Sequence, residues 1–120
     1  MAITMTDALK NALLTALGTQ LSGGTLVIQT SADAEVATLT LNSGSGNALN
    51  SPSGGSTTFK SITADSSAAG GTAAKFTMYS SGSAAQYSGT VGVSASDITI
   101  DNTTVAAGAT VSAGTITVSM

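Results

Sequence analysis

From Thr25 to Val118 the apolar residues of this chain return at every second position, and that period constrains the fold more than any other feature. Leu26 and Ile28 alternate with Thr25, Val27 and Gln29; Ala37, Leu39 and Leu41 alternate with Thr38 and Thr40; Phe76 and Met78 alternate with Lys75, Thr77 and Tyr79. Tyr87, Gly89, Val91 and Val93 follow with Ser and Thr between them, then Ile98 and Ile100 around Thr99, and Ile116 and Val118 around Thr117. Successive side chains of a strand face opposite ways, so the pattern predicts half-buried antiparallel strands. Phe59 to Ile62, Thr103 to Val105 and Thr110 to Ala113 are weaker runs of the same kind. Turn residues break the runs at roughly the 8–12-residue spacing of a sandwich or jelly roll. The expectation is therefore an all-β domain over residues 25–120: an antiparallel β-sandwich or jelly roll of seven to eight short strands. No strong repeat stands out; Ile98–Val105 and Val111–Val118 share only a Val/Ile/Thr texture.

Residues 1–24 read differently, as an N-terminal arm and one short amphipathic helix. Leu9, Ala12, Leu13, Ala16 and Leu17 recur at three- and four-residue spacing, which predicts a helix over 7–17 with these side chains on one face. Thr6 is placed to cap its first turn, Asp7 lies at the positive end of the dipole, and Gly18 is placed to close it in the left-handed conformation. Such a face ordinarily covers its own core; the alternative is a docking element for another chain. Two Gly/Ser-rich stretches, Asn42–Thr57 and Asp65–Thr72, read as mobile surface loops.

Composition removes most chemistry. Ala, Thr, Ser and Gly make up more than half of the 120 residues, so a core built here is thin and leans on backbone pairing. There is no His, Cys, Trp or Arg, and the cations are Lys10, Lys60 and Lys75. Three scattered lysines do not make a phosphate-neutralising surface, so nucleic acid is not an expected partner. Zinc, iron–sulfur and haem sites lose their usual ligands, and no cofactor or metal is expected. The apolar run Ala12–Leu17 is too short for a membrane span and lacks the basic start of a signal peptide, so a soluble protein with no membrane partner is expected.

The remaining motifs are weak. Thr57 and Lys60 have the spacing of a Ser-x-x-Lys pair, but that arrangement needs a helix and this region reads as a strand edge. Gly44-Ser45-Gly46-Asn47 lacks the third glycine, the helix and the lysine of a nucleotide loop. Asp97 and Asp101 lack the ligand density of a calcium loop and read as turn caps or a solvated strand face. Asn102-Thr103-Thr104 is a glycosylation sequon without a context. Tyr79 and Tyr87 could line a sugar platform, although core-edge tyrosines are the commoner case. No catalytic constellation emerges, and the chain reads as non-enzymatic.

Several segments together resemble a family of small tailed-phage virion proteins. They are the Leu/Ala helix Thr6–Leu17, Ile62-Thr63-Ala64-Asp65-Ser66-Ser67-Ala68, and Ala74-Lys75-Phe76-Thr77-Met78-Tyr79-Ser80-Ser81-Gly82. Gly89-Thr90-Val91-Gly92, Ile100-Asp101-Asn102-Thr103-Thr104-Val105-Ala106-Ala107-Gly108 and Val111–Val118 extend the likeness over most of the chain. The resemblance implies a cement or decoration protein that binds the outside of a phage capsid. The major capsid protein and further copies of itself, as a dimer or trimer, are then the expected partners. It implies a location on the virion head, with assembly in the host cytoplasm. The alternative is a tail or tail-fibre component that binds a host carbohydrate or forms a tail or connector ring. The expected contact residues are Ile3 and Met5, by strand addition of the arm, and Leu9, Leu13 and Leu17 on the helix.

Overall fold

The computed structural model describes residues 4–92, 98–99, 103–112 and 116–119. Helix α1 (Asp7–Leu21) comes first, followed by β1 (Thr25–Gln29) and β2 (Glu35–Thr40). Next come β3 (Ser56–Thr58), β4 (Gly71–Thr72), β5 (Lys75–Tyr79) and β6 (Ala85–Gly92). The short strands β7 (Ile98–Thr99), β8 (Thr104–Val105) and β9 (Thr117–Ser119) complete the order. The main sheet runs β2-β1-β5-β6-β7, antiparallel except for the parallel β6–β7 pair, and two small antiparallel ribbons pair β3 with β9 and β4 with β8. The protein is mostly β with one helix.

The alternation read in the sequence becomes the two faces of the main sheet. Leu39, Leu26 and Met78 stand in one cross-strand row, and Ala37, Ile28 and Phe76 in the next. All six are buried and form the core with Leu21, Val36, Leu49, Phe59, Val91 and Ile116. Removing a Leu- or Ile-sized side chain from water contributes about 1.5–3 kcal/mol, and these rows concentrate that gain on one face. The opposite face carries Thr25, Val27, Gln29, Thr38, Thr77 and Tyr79, all half-buried, with exposed Thr40, Ser88 and Thr90 toward its margins. That side is mostly hydroxyl-bearing, with Val27 and Gln29 among the threonines.

The sheet also contains a repeat that the sequence reading did not find. Adding fifty to the residue numbers of the β1–β2 hairpin gives the β5–β6 hairpin: Thr25 pairs with Thr40 and Lys75 with Thr90, Leu26 with Leu39 and Phe76 with Gly89. The register slips at the same place in both, between Ile28 and Gln29 and between Met78 and Tyr79. The turns share three hydrogen bonds, and the first adds Ala32 N–H donating to the Thr30 hydroxyl at 3.3 Å. Thr30 N–H donates to Ala34 O at 2.8 Å and Ser80 N–H to Ala84 O at 2.9 Å; Asp33 N–H donates to Thr30 O at 3.0 Å and Ser83 N–H to Ser80 O at 2.9 Å. The Thr30 hydroxyl accepts from Ala34 N–H at 3.2 Å, and the Ser80 hydroxyl from Ala84 N–H at 3.3 Å. Asp33 and Ser83 close the turns with φ of 71° and 63°. Val27 pairs with Thr77 at the centre of the β1–β5 ladder, so a pseudo-two-fold axis passes through the sheet between them.

The helix departs from expectation in length and in orientation. Thr6 caps it as predicted, its hydroxyl accepting from Leu9 N–H at 3.2 Å. It does not stop at Gly18 but runs to Leu21. Gly18 is buried inside the helix, and a Cβ there would overlap the Asn47 side chain. A bare backbone at this point lets the helix meet the 44–50 segment, and that contact outweighs the roughly 1 kcal/mol cost of an interior glycine. The buried stripe is Leu14, Gly18 and Leu21 with half-buried Leu17, so most of the Leu9–Ala12–Leu13–Ala16 face points outward.

The stretches read as loops carry structure. Residues 44–46 form a tight turn, with Gly46 N–H donating to Ser43 O at 3.0 Å and Ser45 in the left-handed region; Ala48 and Leu49 are buried, and Leu49 bridges to Phe59. Ser56–Thr58, read as the end of a loop, is β3, held by β9. From the weaker runs Phe59 and Val111 contribute single bridges, to Leu49 and Asp65, and Ala113 lies outside the described residues. Residues 63–70 line the outer edge of β2. Thr63 and Thr40 exchange backbone bonds, the Asp65 carboxylate accepts from Thr38 N–H at 2.9 Å, and Gly70 N–H donates to Val36 O at 3.1 Å. An acidic side chain thus completes a ladder that would otherwise end in open donors.

Candidate functional site

Two surfaces combine exposure with definite geometry. The first is the outward face of α1. Leu9 and Leu13 are 48% and 40% exposed, the large apolar side chains most open to solvent among the described residues. They lie one turn apart and therefore side by side, with exposed Ala12 and Ala16 beside them. The opposite face is fixed. Asn47 donates from Nδ2 to Thr15 O at 3.2 Å, Ala48 N–H donates to Gly18 O at 3.0 Å, and Gly55 N–H donates to Asn11 Oδ1 at 3.0 Å. A helix held this firmly by its inner side presents its outer side as a rigid ridge.

The structure divides the five expected contact residues. Leu9 and Leu13 are on the ridge, Met5 is half-buried just before the helix, and Leu17 packs against the core. Ile3 lies outside the described residues, as do Asp97, Asp101 and Asn102. Tyr79 is half-buried in β5, where it pairs with Thr25, and Tyr87 pairs with Met78.

The second surface is a cavity of about 300 Å³ between α1 and the 45–52 segment. Thr15 borders it from the helix, Ser45, Asn50, Ser51 and Pro52 from the segment, and Lys60 from the strip after β3. Its walls are built by Asx geometry: Asn42 Oδ1 accepts from Gly44 N–H at 2.7 Å and Asn47 Oδ1 from Leu49 N–H at 2.8 Å. Lys60 donates from Nζ to Gly44 O at 2.6 Å, and its own N–H donates to Ala48 O at 2.9 Å. Thr57, the other half of the Thr-x-x-Lys spacing, is buried and donates to Asn50 O at 2.7 Å, so it serves the loop. Sequence reasoning passed over this cavity because Gly/Ser-rich composition reads as slack chain. The signal that marks it is the spaced Asn42, Asn47 and Asn50, each of which fixes a nearby backbone or hydroxyl group.

Three charged side chains elsewhere serve the fold. Lys75 pairs with Asp33 across the base of the first turn. Backbone N–H groups of Thr38 and, to a lesser degree, Ser67 hold the Asp65 carboxyl below the ordinary Asp range. Among the described residues no three metal-ligating side chains come together, and no helix is long and apolar enough to cross a membrane. Comparison with protein-family models, with curated proteins and with solved structures found no match to the chain.

Proposed function

We propose that this is a non-enzymatic structural protein of a bacteriophage virion, of the decoration or cement type, which binds the outside of the capsid and stabilises the head. The observation that carries the reading is the Leu9–Leu13 ridge: two open leucines on a helix anchored along its other side. Its partner is the major capsid protein, which offers an apolar groove to the ridge and a strand edge to the arm at Ile3 and Met5. The lack of His and Cys supports a role without catalysis, since the usual general base and thiol nucleophile are missing. In finer detail the fold is read as a sandwich, with the main sheet as one layer and α1 with the two ribbons as the other. Self-association as a dimer or trimer multiplies contacts that are individually modest.

The test is co-sedimentation of the purified protein with undecorated capsids at low and high salt. Uncharged contacts give binding that survives high salt. Leu9→Ser combined with Leu13→Ser, both at open positions, lowers capsid binding at least tenfold and leaves the fold intact. No sedimentation of the unaltered protein with capsids, or its release by modest salt, overturns the proposal.

A further inference from the structure

We propose that the cavity beside Lys60 is a binding site for a hydroxylated carboxylate, of the class of one uronic acid unit of an acidic polysaccharide. The first argument is charge. Lys75 is paired with Asp33, and the Lys10 stem lies along Gly55, whereas the Lys60 ammonium borders a cavity that no acidic residue lines. One Nζ proton goes to Gly44 O, and two remain to meet a carboxylate. The second is the supply of neutral polar groups. Among the described residues the Ser45 and Ser51 hydroxyls have no hydrogen-bond partner. Asn50 uses its Nδ2 on Thr58 at 2.9 Å, which leaves Oδ1 to accept from a ligand hydroxyl. Two hydroxyls, one amide oxygen and one ammonium around a single space match a ring bearing several hydroxyls and one acid.

Shape and backbone agree with the chemistry. A cavity of about 300 Å³ stands at the low end of the 300–1,000 Å³ range of small-molecule sites, which suits one sugar unit. Pro52 gives it an apolar side on which the C–H face of a ring can rest. Ser45 takes φ of 58° in the turn closed by Asn47 N–H on Gly44 O at 3.3 Å, the conformation Asp33 and Ser83 take in their turns, so turn geometry and not slack chain places it beside the cavity. The site is bordered by Thr15 and not by the outward leucines, so it does not depend on the capsid reading.

The probe is sodium glucuronate, titrated into the full chain and followed by backbone amide NMR shifts. Glucose and acetate at the same concentration and ionic strength form parallel arms. Saturable shifts centred on residues 45–51 and 60 are expected with glucuronate, with at least tenfold weaker binding of glucose, which lacks the acid, and of acetate, which lacks the ring. Lys60→Gln should weaken glucuronate binding at least tenfold, whereas Lys75→Gln, remote in β5, should leave it unchanged. If Lys60→Gln loses its native spectrum, Ser51→Ala replaces it and is expected to weaken binding severalfold. Equal response to all three compounds, shifts centred elsewhere, no saturable shift, or a folded Lys60→Gln that binds normally overturns the proposal.

Discussion

The hairpins 25–40 and 75–90 share a backbone and differ in what fills it. Both have the same register, the same slipped position and the same turn. The first buries Leu26, Ile28, Val36, Ala37 and Leu39; in the second Phe76 and Met78 are buried, Gln86 is exposed, and Gly89 stands where Leu39 does in the first. Ser31/Ser81, Ala34/Ala84 and Thr40/Thr90 are the identities between them. One backbone is therefore specified twice by different means. What persists is the hydroxyl at 30 or 80 that caps the turn, and the alternation that sets the register.

The largest test of that comparison removes one anchor from each half. Leu26→Ala is expected to cost about 3 kcal/mol and Phe76→Ala about 4 kcal/mol in urea unfolding. The second costs more because it removes a larger side chain and because Phe76 faces Gly89, which has no side chain to fall into the space left behind. Equal costs would mean that the neighbouring strand does not govern how well each cavity closes.

The next difference lies at the outer edges. β6 is extended by β7, whereas the middle of β2 is completed by the Asp65 carboxylate. Because the folded carboxyl titrates below its ordinary value, its contribution is complete above the unfolded pKa of about 3.9. It is lost as pH falls through the lower folded value. Melting temperature should therefore fall on acidification below about pH 4, and Asp65→Asn should remove part of that acid limb. Unchanged slopes in the two proteins would take Asp65 out of the account.

The turns offer a finer contrast. Ser83→Gly should stabilise by about 0.5–1 kcal/mol, because glycine accepts positive φ without the Cβ penalty. Asp33→Gly should give almost nothing, since Asp tolerates that conformation better and the change also removes the partner of Lys75. Paired melting curves decide it. The smallest effect belongs to that ion pair, whose side chains are 36% and 73% exposed. A double-mutant cycle on Lys75 and Asp33 should find coupling of about 0.2–1 kcal/mol that disappears in high salt.

The strands and the helix start were legible because alternation and capping are local. Leu26–Ile28, Phe76–Met78 and Thr6 needed no knowledge of the rest of the chain. The helix end was not, because a glycine that ends a helix and one that admits a neighbour look alike until Asn47 is in place. The repeat stayed hidden because it lives in backbone hydrogen bonds, in a turn hydroxyl that Thr and Ser supply alike, and in core positions that Leu and Phe fill alike. The outward ridge was half legible: Leu9 and Leu13 share a face, but whether it meets core or solvent depends on Leu14, Gly18 and Leu21 competing for the same contact. The Lys60 cavity was the least visible, since its walls come from three segments and its composition is that of ordinary loop.

The Val27–Thr77 centre also joins the two strands of the main sheet that lie farthest apart in sequence among its paired neighbours. Each hairpin closes through neighbours in sequence, a process of microseconds, whereas joining β1 to β5 must bring together strands separated by β2 and the whole 41–74 segment. Until they join, the β1 and β5 edges are both bare, and the symmetry makes these two edges interchangeable in geometry. A β1 edge can then be met by the β5 edge of its own chain or by that of a neighbour. Crowded chains accordingly have a ready route to exchanged dimers, and refolding at low protein concentration is the condition that favours the monomeric sheet.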